Sequence, residues 1–330
     1  MALHDDQDHV SRALESISSD RDRLVQIVLV DCASADRTFD ICQRAAERDI
    51  RIDALSCESP DRFIGRSRGL EVARGCYVTF LDGDCWFKRG SIDAAFDVID
   101  AHEFDIAFTS HALDSREGNG TRRSRFVNAT AVDVTGKGET AHSLAGLIDS
   151  RMLSFTCGCF YRRELYSGLG ASFGDVHDEF VYNVKLLGRA ESVRSIPDVV
   201  CHAHERSNTE AFDPQRFETI RARYDALVET AEELGVSELP SLQLSISRWY
   251  YRSIARCIEN LCLSPHSVSS IERNARLRDM LDADSTRSAM RLLEGNAKDL
   301  GVMYGPISSG NIPACLLGTW VSHNLRFIGR

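Results

Sequence analysis

Two apolar runs in this chain end in carboxylates. Leu24-Val25-Gln26-Ile27-Val28-Leu29-Val30 runs into Asp31, and Tyr77-Val78-Thr79-Phe80-Leu81 runs into Asp82-Gly83-Asp84. Short apolar runs bounded by turn residues read as buried strands. Segments with helical spacing separate them, and strands alternating with helices imply a parallel sheet of βαβ units. In an open α/β sheet, ligands gather beyond the carboxyl ends of the strands. Asp31, Asp82 and Asp84 are therefore expected along one binding edge. Carboxylates there can hold a divalent metal and, through it, a diphosphate.

The periodicity extends this pattern. Val10, Ala13, Leu14 and Ile17 place a helix over 8–19. Strands are predicted at 24–31, 50–55, 76–82 and 104–109, and helices at 36–48, 64–74 and 90–101, with Asp36 as a cap. Residues 112–124 are polar, basic and glycine-containing and read as a loop. Strand-like runs follow at 126–134 and 152–161 around a helix at 139–150, then a helix at 177–188 and a strand at 198–204. From 212 onward the pattern is helical: Phe217, Ile220, Tyr224, Leu227 and Ala231 share one face. These features predict an α/β domain over 1–210 and a helical extension over 211–330.

Composition narrows the partners. A net charge of −10 disfavours a nucleic-acid backbone. An odd count of eleven cysteines, scattered along the chain, does not read as a disulfide framework and points to a reducing cytoplasm. The acidic start lacks the apolar core of a signal peptide, and no run approaches the ~18 apolar residues of a membrane span. The apolar segment 312–321 is expected to dock on the core or to touch the inner face of a membrane peripherally.

Three motifs in order carry a resemblance. Val30-Asp31-Cys32-Ala33-Ser34-Ala35-Asp36-Arg37-Thr38 resembles the Val-Asp-Asp-Gly-Ser-x-Asp-x-Thr pattern of the family 2 glycosyltransferases. Gly65-Arg66-Ser67-Arg68-Gly69-Leu70 resembles their Ala-Arg-Asn-x-Gly-Leu helix start. Phe80-Leu81-Asp82-Gly83-Asp84-Cys85 resembles their Phe-Leu-Asp-x-Asp-Asp. Cys32 and Ser67 depart from the pattern. The family also opens with an apolar strand, whereas only Met1-Ala2-Leu3 stand before His4-Asp5-Asp6. The central first strand is thus expected to be missing and its neighbours unpaired.

The resemblance implies a GT-A (Rossmann-like), mostly parallel sheet flanked by helices. It also implies an inverting, metal-dependent transfer of a sugar from a nucleoside-diphosphate sugar to a hydroxyl of a glycan or lipid-linked acceptor, in surface polysaccharide synthesis. UDP is the first expectation for the nucleotide, and Mn²⁺ or Mg²⁺ for the metal. Asp84 and Asp82 would bind the metal, with His202 or His204 as a further ligand. Asp82 would alternatively meet the ribose, Asp31 the base, and Arg66 and Arg206 the diphosphate. In His177-Asp178-Glu179, Asp178 is favoured over Glu179 as catalytic base. The rival readings are a degenerate, non-catalytic scaffold, suggested by the short first strand, Cys32 and Ser67, and a nucleotidyltransferase, which would need a glycine-rich phosphate loop not visible here.

Overall fold

A computed structural model describes residues 1–17, 26–116, 122–166, 177–204, 212–263, 268–295 and 300–328. The chain divides into two units, Met1–Arg206 and Ser207–Arg330.

In the first unit, the apolar run Ile27–Cys32 forms β2, and it is buried because both of its faces are covered. It pairs in parallel with β1 (Ala2–Leu3) on one side and β3 (Ile52–Cys57) on the other. The amphipathic helix α1 (Val10–Ile17) buries Val10, Ala13 and Ile17. Helices α2 (Thr38–Arg48) and α3 (Arg62–Val72) follow β2 and β3. The N-cap of α2 is Arg37 rather than the expected Asp36, which stands one residue earlier and accepts from the Thr38 amide at 2.8 Å. Asp61 caps α3 through the Phe63 amide.

Residues of a first strand, expected to be missing, are therefore present. Ala2 and Leu3 take positions beside Val30 and Asp31 and are fully buried. Among the described residues the remainder of β2 has no strand partner on that side, and the strands form two sheets. The second sheet runs β4 (Tyr77–Thr79), β9 (Phe160–Arg162), β6 (Ile106–Arg116), β10 (Ser192–His204), β5 (Cys85–Phe87). Only its β6–β10 pair is parallel along that path. The sheet is thus mixed, and the mostly parallel expectation holds for β1–β3.

Two sequence expectations change shape. The polar stretch predicted as a loop at 112–124 is strand in its described parts, since β6 continues to Arg116 and pairs antiparallel with β7 (Arg122–Val127); residues 117–121 lie outside the described residues. The 152–161 run is a turn of 3₁₀ helix (Met152–Ser154) followed by a chain reversal, with β9 only at its end. Gly158 makes the reversal at φ 80°, and a Cβ there would overlap Cys201.

Close approach also explains Cys32. Gly65 of α3 faces it, and a Cβ on Gly65 would overlap the Cys32 Sγ. Cys32 is fully buried, and burial, followed by the neighbouring Cys57, pushes its thiol up to about 12. It behaves as a small core residue. All eleven cysteines are free thiols.

The second unit is built of helices α7 (Arg216–Glu233), α8 (Pro240–Leu263), α9 (Ser270–Asp282), α10 (Asp284–Leu292), α11 (Tyr304–Ser308) and α12 (Ile312–Ile328). Tyr250, Ile254, Ile258, Leu277, Met280 and Cys315 form its core. Residues 312–321 thus lie on a helix that docks by one face, with Cys315 and Thr319 buried while Leu317 and Trp320 are exposed. Among the described residues no helix is long and apolar enough to cross a membrane.

One buried histidine sets a pH dependence. His111 on β6 stacks on Phe155 at 4.2 Å, and its Nε2 lies 2.8 Å from the Cys157 carbonyl. Burial lowers its pKa from 6.5 to about 4, outweighing its backbone hydrogen bonds. Below pH 6.5 the unfolded chain takes up this proton and the folded chain does not, so stability falls as pH drops from 6.5 to 4. The expected loss from this residue is about 3 kcal/mol. Urea unfolding at pH 7 and pH 4.5 should show a smaller difference in His111→Gln than in wild type. Equal differences would contradict the assignment.

Candidate active site

Three carboxyl-terminal strand ends and one helix face converge here. The turn after β1 presents Asp6, the end of β2 presents Asp31, and the turn after β4 presents Asp82 and Asp84. Helix α3 supplies Arg62 and Arg66, which lie four residues apart and so share a face.

Arg66 is the centre. Its guanidinium is buried, and Nη2 lies 2.9 and 3.0 Å from the Asp82 oxygens, 2.9 Å from Glu179 Oε1 and 3.4 Å from Cys157 Sγ. Burial alone would lower its pKa, but Asp82 and Glu179 hold it well above the ordinary value. Burial likewise pushes the Asp82 carboxyl up, yet Arg66 and Arg62 outweigh this and keep it below the usual range. Glu179 begins helix α6 (Glu179–Arg189), and its Oε2 accepts from the Thr156 amide at 3.0 Å.

Arg62 makes the second link. Nη2 reaches Asp6 at 3.0 Å, and Nη1 lies 3.9 Å from Asp82 and 4.0 Å from Asp84. Asp6 is buried; desolvation raises its pKa, and Arg62 opposes the rise. The glycine of Asp-Gly-Asp is required here, because a Cβ on Gly83 would overlap the Asp6 side chain.

A divalent metal can be tested against these groups. Asp82, Cys157 and Glu179 have ligand atoms within 4.8 Å of one another. Arg66 Nη2 contacts all three, so that trio holds a guanidinium. Asp84 is different. Among the described residues, its polar contacts are the Cys85 thiol at 3.6 Å and Arg62 at 4.0 Å. Among the described residues, the connected carboxylates of Asp6, Asp82, Asp84 and Glu179 pair with Arg62 and Arg66, a formal excess of two negative charges. Oxygen donors with that excess fit Mg²⁺ or Mn²⁺.

The structure distributes the other sequence-predicted residues unevenly. Asp31 is 5% exposed; its Oδ2 accepts from the Ser34 amide at 3.2 Å, and its buried Oδ1 has no hydrogen-bond partner among the described residues. Asp178 caps α6, accepting from the Val181 amide at 3.0 Å. His177 leaves the cluster and pairs with Asp61 at 2.7 Å. His202 lies 2.9 Å from Asp114 and stacks on Trp86. His204 Nε2 accepts from Arg12 at 3.1 Å, and the Arg12 guanidinium lies over Trp86. Burial and Arg12 lower the His204 pKa, against a smaller opposing pull from Asp84. Its lone pair is thus engaged by a cation. Arg206 lies outside the described residues.

Sequence reasoning did not single out Asp6, Arg62 or Cys157 for these roles. The four-residue spacing of Arg62 and Arg66, after the cap residue Asp61, was the available signal.

Comparison with known proteins decides the family. The description Glycosyl transferase family 2 matches residues 1–170. The chain belongs to this family. It is a glycosyltransferase with the GT-A fold. One relative is the Bacillus subtilis (strain 168) protein named Uncharacterized glycosyltransferase EpsJ, 23% identical over 275 residues, spanning 81% of this chain and 78% of that protein. The crystal structure of S. aureus TarS 1–349 with UDP superposes with a TM-score of 0.66 at 16% identity, covering 98% of this chain and 90% of that one. The same protein with UDP-GlcNAc superposes at 0.64 and 17% identity.

In this glycosyltransferase, Arg66→Met would leave two carboxylates facing each other without their cation. Removing one partner of a buried pair typically costs ~3–5 kcal/mol. Denaturant unfolding should show a loss of that order, partly recovered when Asp82→Asn and Glu179→Gln are added. A loss below ~1 kcal/mol would contradict the central position of Arg66.

Proposed function

We propose that this glycosyltransferase carries out an inverting, metal-dependent transfer from a UDP-sugar to a hydroxyl of a glycan or lipid-linked acceptor. The observation that carries the reading is Asp84, held among the described residues by only the Cys85 thiol at 3.6 Å and Arg62 at 4.0 Å, beside an Asp82 that Arg66 already holds ionised. The UDP and UDP-GlcNAc complexes of TarS support the choice of donor.

The roles follow from how each side chain is committed. Asp31 Oδ1, buried and without a hydrogen-bond partner among the described residues, suits the imide N–H of uracil. Asp84, with Asp82 beside it, would hold the divalent cation, which would neutralise charge developing on the departing diphosphate. Arg66 orients Asp82 instead of reaching the diphosphate itself. Glu179 uses one oxygen on Arg66 and the other on the Thr156 amide, so it serves to position them. Asp178 is the base. Its carboxylate takes the acceptor hydroxyl proton as that oxygen bonds to the anomeric carbon and the bond to the diphosphate breaks. Such base catalysis typically contributes about 10²–10⁴-fold. The helices of 211–330 would contact the acceptor or a partner. The relation to EpsJ does not name an acceptor; surface polysaccharide synthesis is the setting we infer from the family.

The test is release of UDP from UDP-sugars in the presence of Mn²⁺ or Mg²⁺. UDP release should require the metal and fall about 10²-fold or more in Asp84→Ala and in Asp178→Asn. Release that persists at full rate in EDTA, or in Asp84→Ala, would overturn the proposal.

A further inference from the structure

Cys32 and Cys57 close the carboxyl ends of β2 and β3. They are register partners in a parallel pair, so they lie side by side on one face of the sheet. Neighbouring strands run ~4.8 Å apart, inside the ~4.4–6.8 Å Cα separation that a disulfide spans. Both cysteines are free thiols, and the two thiols are hydrogen-bonded to each other. Among the described residues, no other strand pairing sets two cysteines opposite each other.

The two differ in exposure. Cys32 is fully buried against Gly65 of α3. Cys57 is half-buried at the end of β3, and its thiol lies 3.3 Å from the Ser59 carbonyl. A reachable thiol beside a buried one lets the first meet an oxidant and the second resolve it. The sugar transfer uses neither.

The pair also adjoins the nucleotide edge. Cys32 follows Asp31 directly, and its carbonyl lies 2.6 Å from His4 Nδ1. Asp31 Oδ2 accepts from the Ser34 amide across a turn in which Ala33 has φ 52°. A shift of Cys32 therefore moves the carboxylate assigned to the base.

We propose that Cys32 and Cys57 are an oxidative modification site, closing to a disulfide with a hydroperoxide and reopening with a dithiol. With hydrogen peroxide, the Cys57 sulfur attacks one peroxide oxygen and the O–O bond breaks. The Cys57 proton leaves with the other oxygen as water, and a sulfenic acid remains. The Cys32 sulfur then attacks the sulfenic sulfur. The S–O bond breaks, and the hydroxyl takes the Cys32 proton and leaves as a second water. Two thiols are oxidised and one peroxide is reduced. Bonding draws the sulfurs to ~2.05 Å, which pulls Cys32 toward β3 and off its packing on Gly65. Affinity for UDP falls as a result; this consequence rests on the base contact proposed for Asp31.

The experiment treats the full chain with hydrogen peroxide, alkylates the remaining thiols under denaturing conditions and maps unreduced peptides by mass spectrometry. The Cys32–Cys57 disulfide should be the principal product, persist in Cys76→Ser and disappear with dithiothreitol. In Cys57→Ser, Cys32 should be recovered alkylated. UDP affinity with Mn²⁺, measured by calorimetry, should fall roughly tenfold on oxidation and recover with dithiothreitol, while Cys57→Ser keeps its affinity through the same treatment. Cys32 recovered alkylated from the peroxide-treated wild type, or a disulfide formed elsewhere in its place, would overturn the proposal. A Cys32–Cys57 disulfide that leaves UDP affinity unchanged would overturn its coupling to the nucleotide. A reduced chain that binds no UDP would count against the base contact of Asp31 and leave the disulfide result standing.

Discussion

A guanidinium buried between two carboxylates organises the first unit. Arg66 ties α3 to the turn after β4 through Asp82, and to the start of α6 through Glu179. Burying a charge is costly unless its partners are close and well oriented. Once Arg66 is inside, Asp82 and Glu179 are both obliged to stay near it. Gly65, one residue earlier, lets α3 approach β2 closely enough for this, with Cys32 filling the space a larger residue could not. Two departures from the family's sequence pattern thereby acquire different meanings. Cys32 is packing around Arg66's helix. Ser67, whose hydroxyl bonds the Phe63 carbonyl at 3.1 Å, satisfies its own helix.

The same anchor divides labour among the acids. Asp82 and Glu179 are spent on Arg66, and Asp6 is spent on Arg62. Asp84 keeps its carboxylate, and Asp31 keeps one buried oxygen without a partner among the described residues. A site of this kind binds through what its internal pairs leave over. The excess of carboxylates over guanidiniums is what a divalent cation can neutralise, and preorganised charges act at no cost of reorganisation during the reaction.

Much of this was legible in the sequence, because it rests on local signals. Apolar runs ending in acid placed β2 and the Asp82–Asp84 turn, helical periodicity placed α1 to α4 (Ser91–Ala101), and three motifs in order gave the family. What escaped was non-local. The Arg66–Glu179 pair spans residues 113 apart, and neither neighbourhood announces the other. The commitment of His204 to Arg12 spans 192 residues. The pairing of β6 with β7 was hidden by polar composition, since strands with an exposed face need no continuous apolar run. The first strand looked absent because two residues carry no periodicity at all.

The account's central claim is that Asp84 is the ligand left available for a metal that brings in the nucleotide. Electron paramagnetic resonance of Mn²⁺ titrated into the protein with UDP measures this directly. The account predicts one tightly bound Mn²⁺ per chain, dependent on UDP and lost in Asp84→Ala, while the variant unfolds at the wild-type denaturant concentration. Binding of Mn²⁺ that is unchanged in Asp84→Ala, or absent from the folded wild type with UDP present, would contradict it.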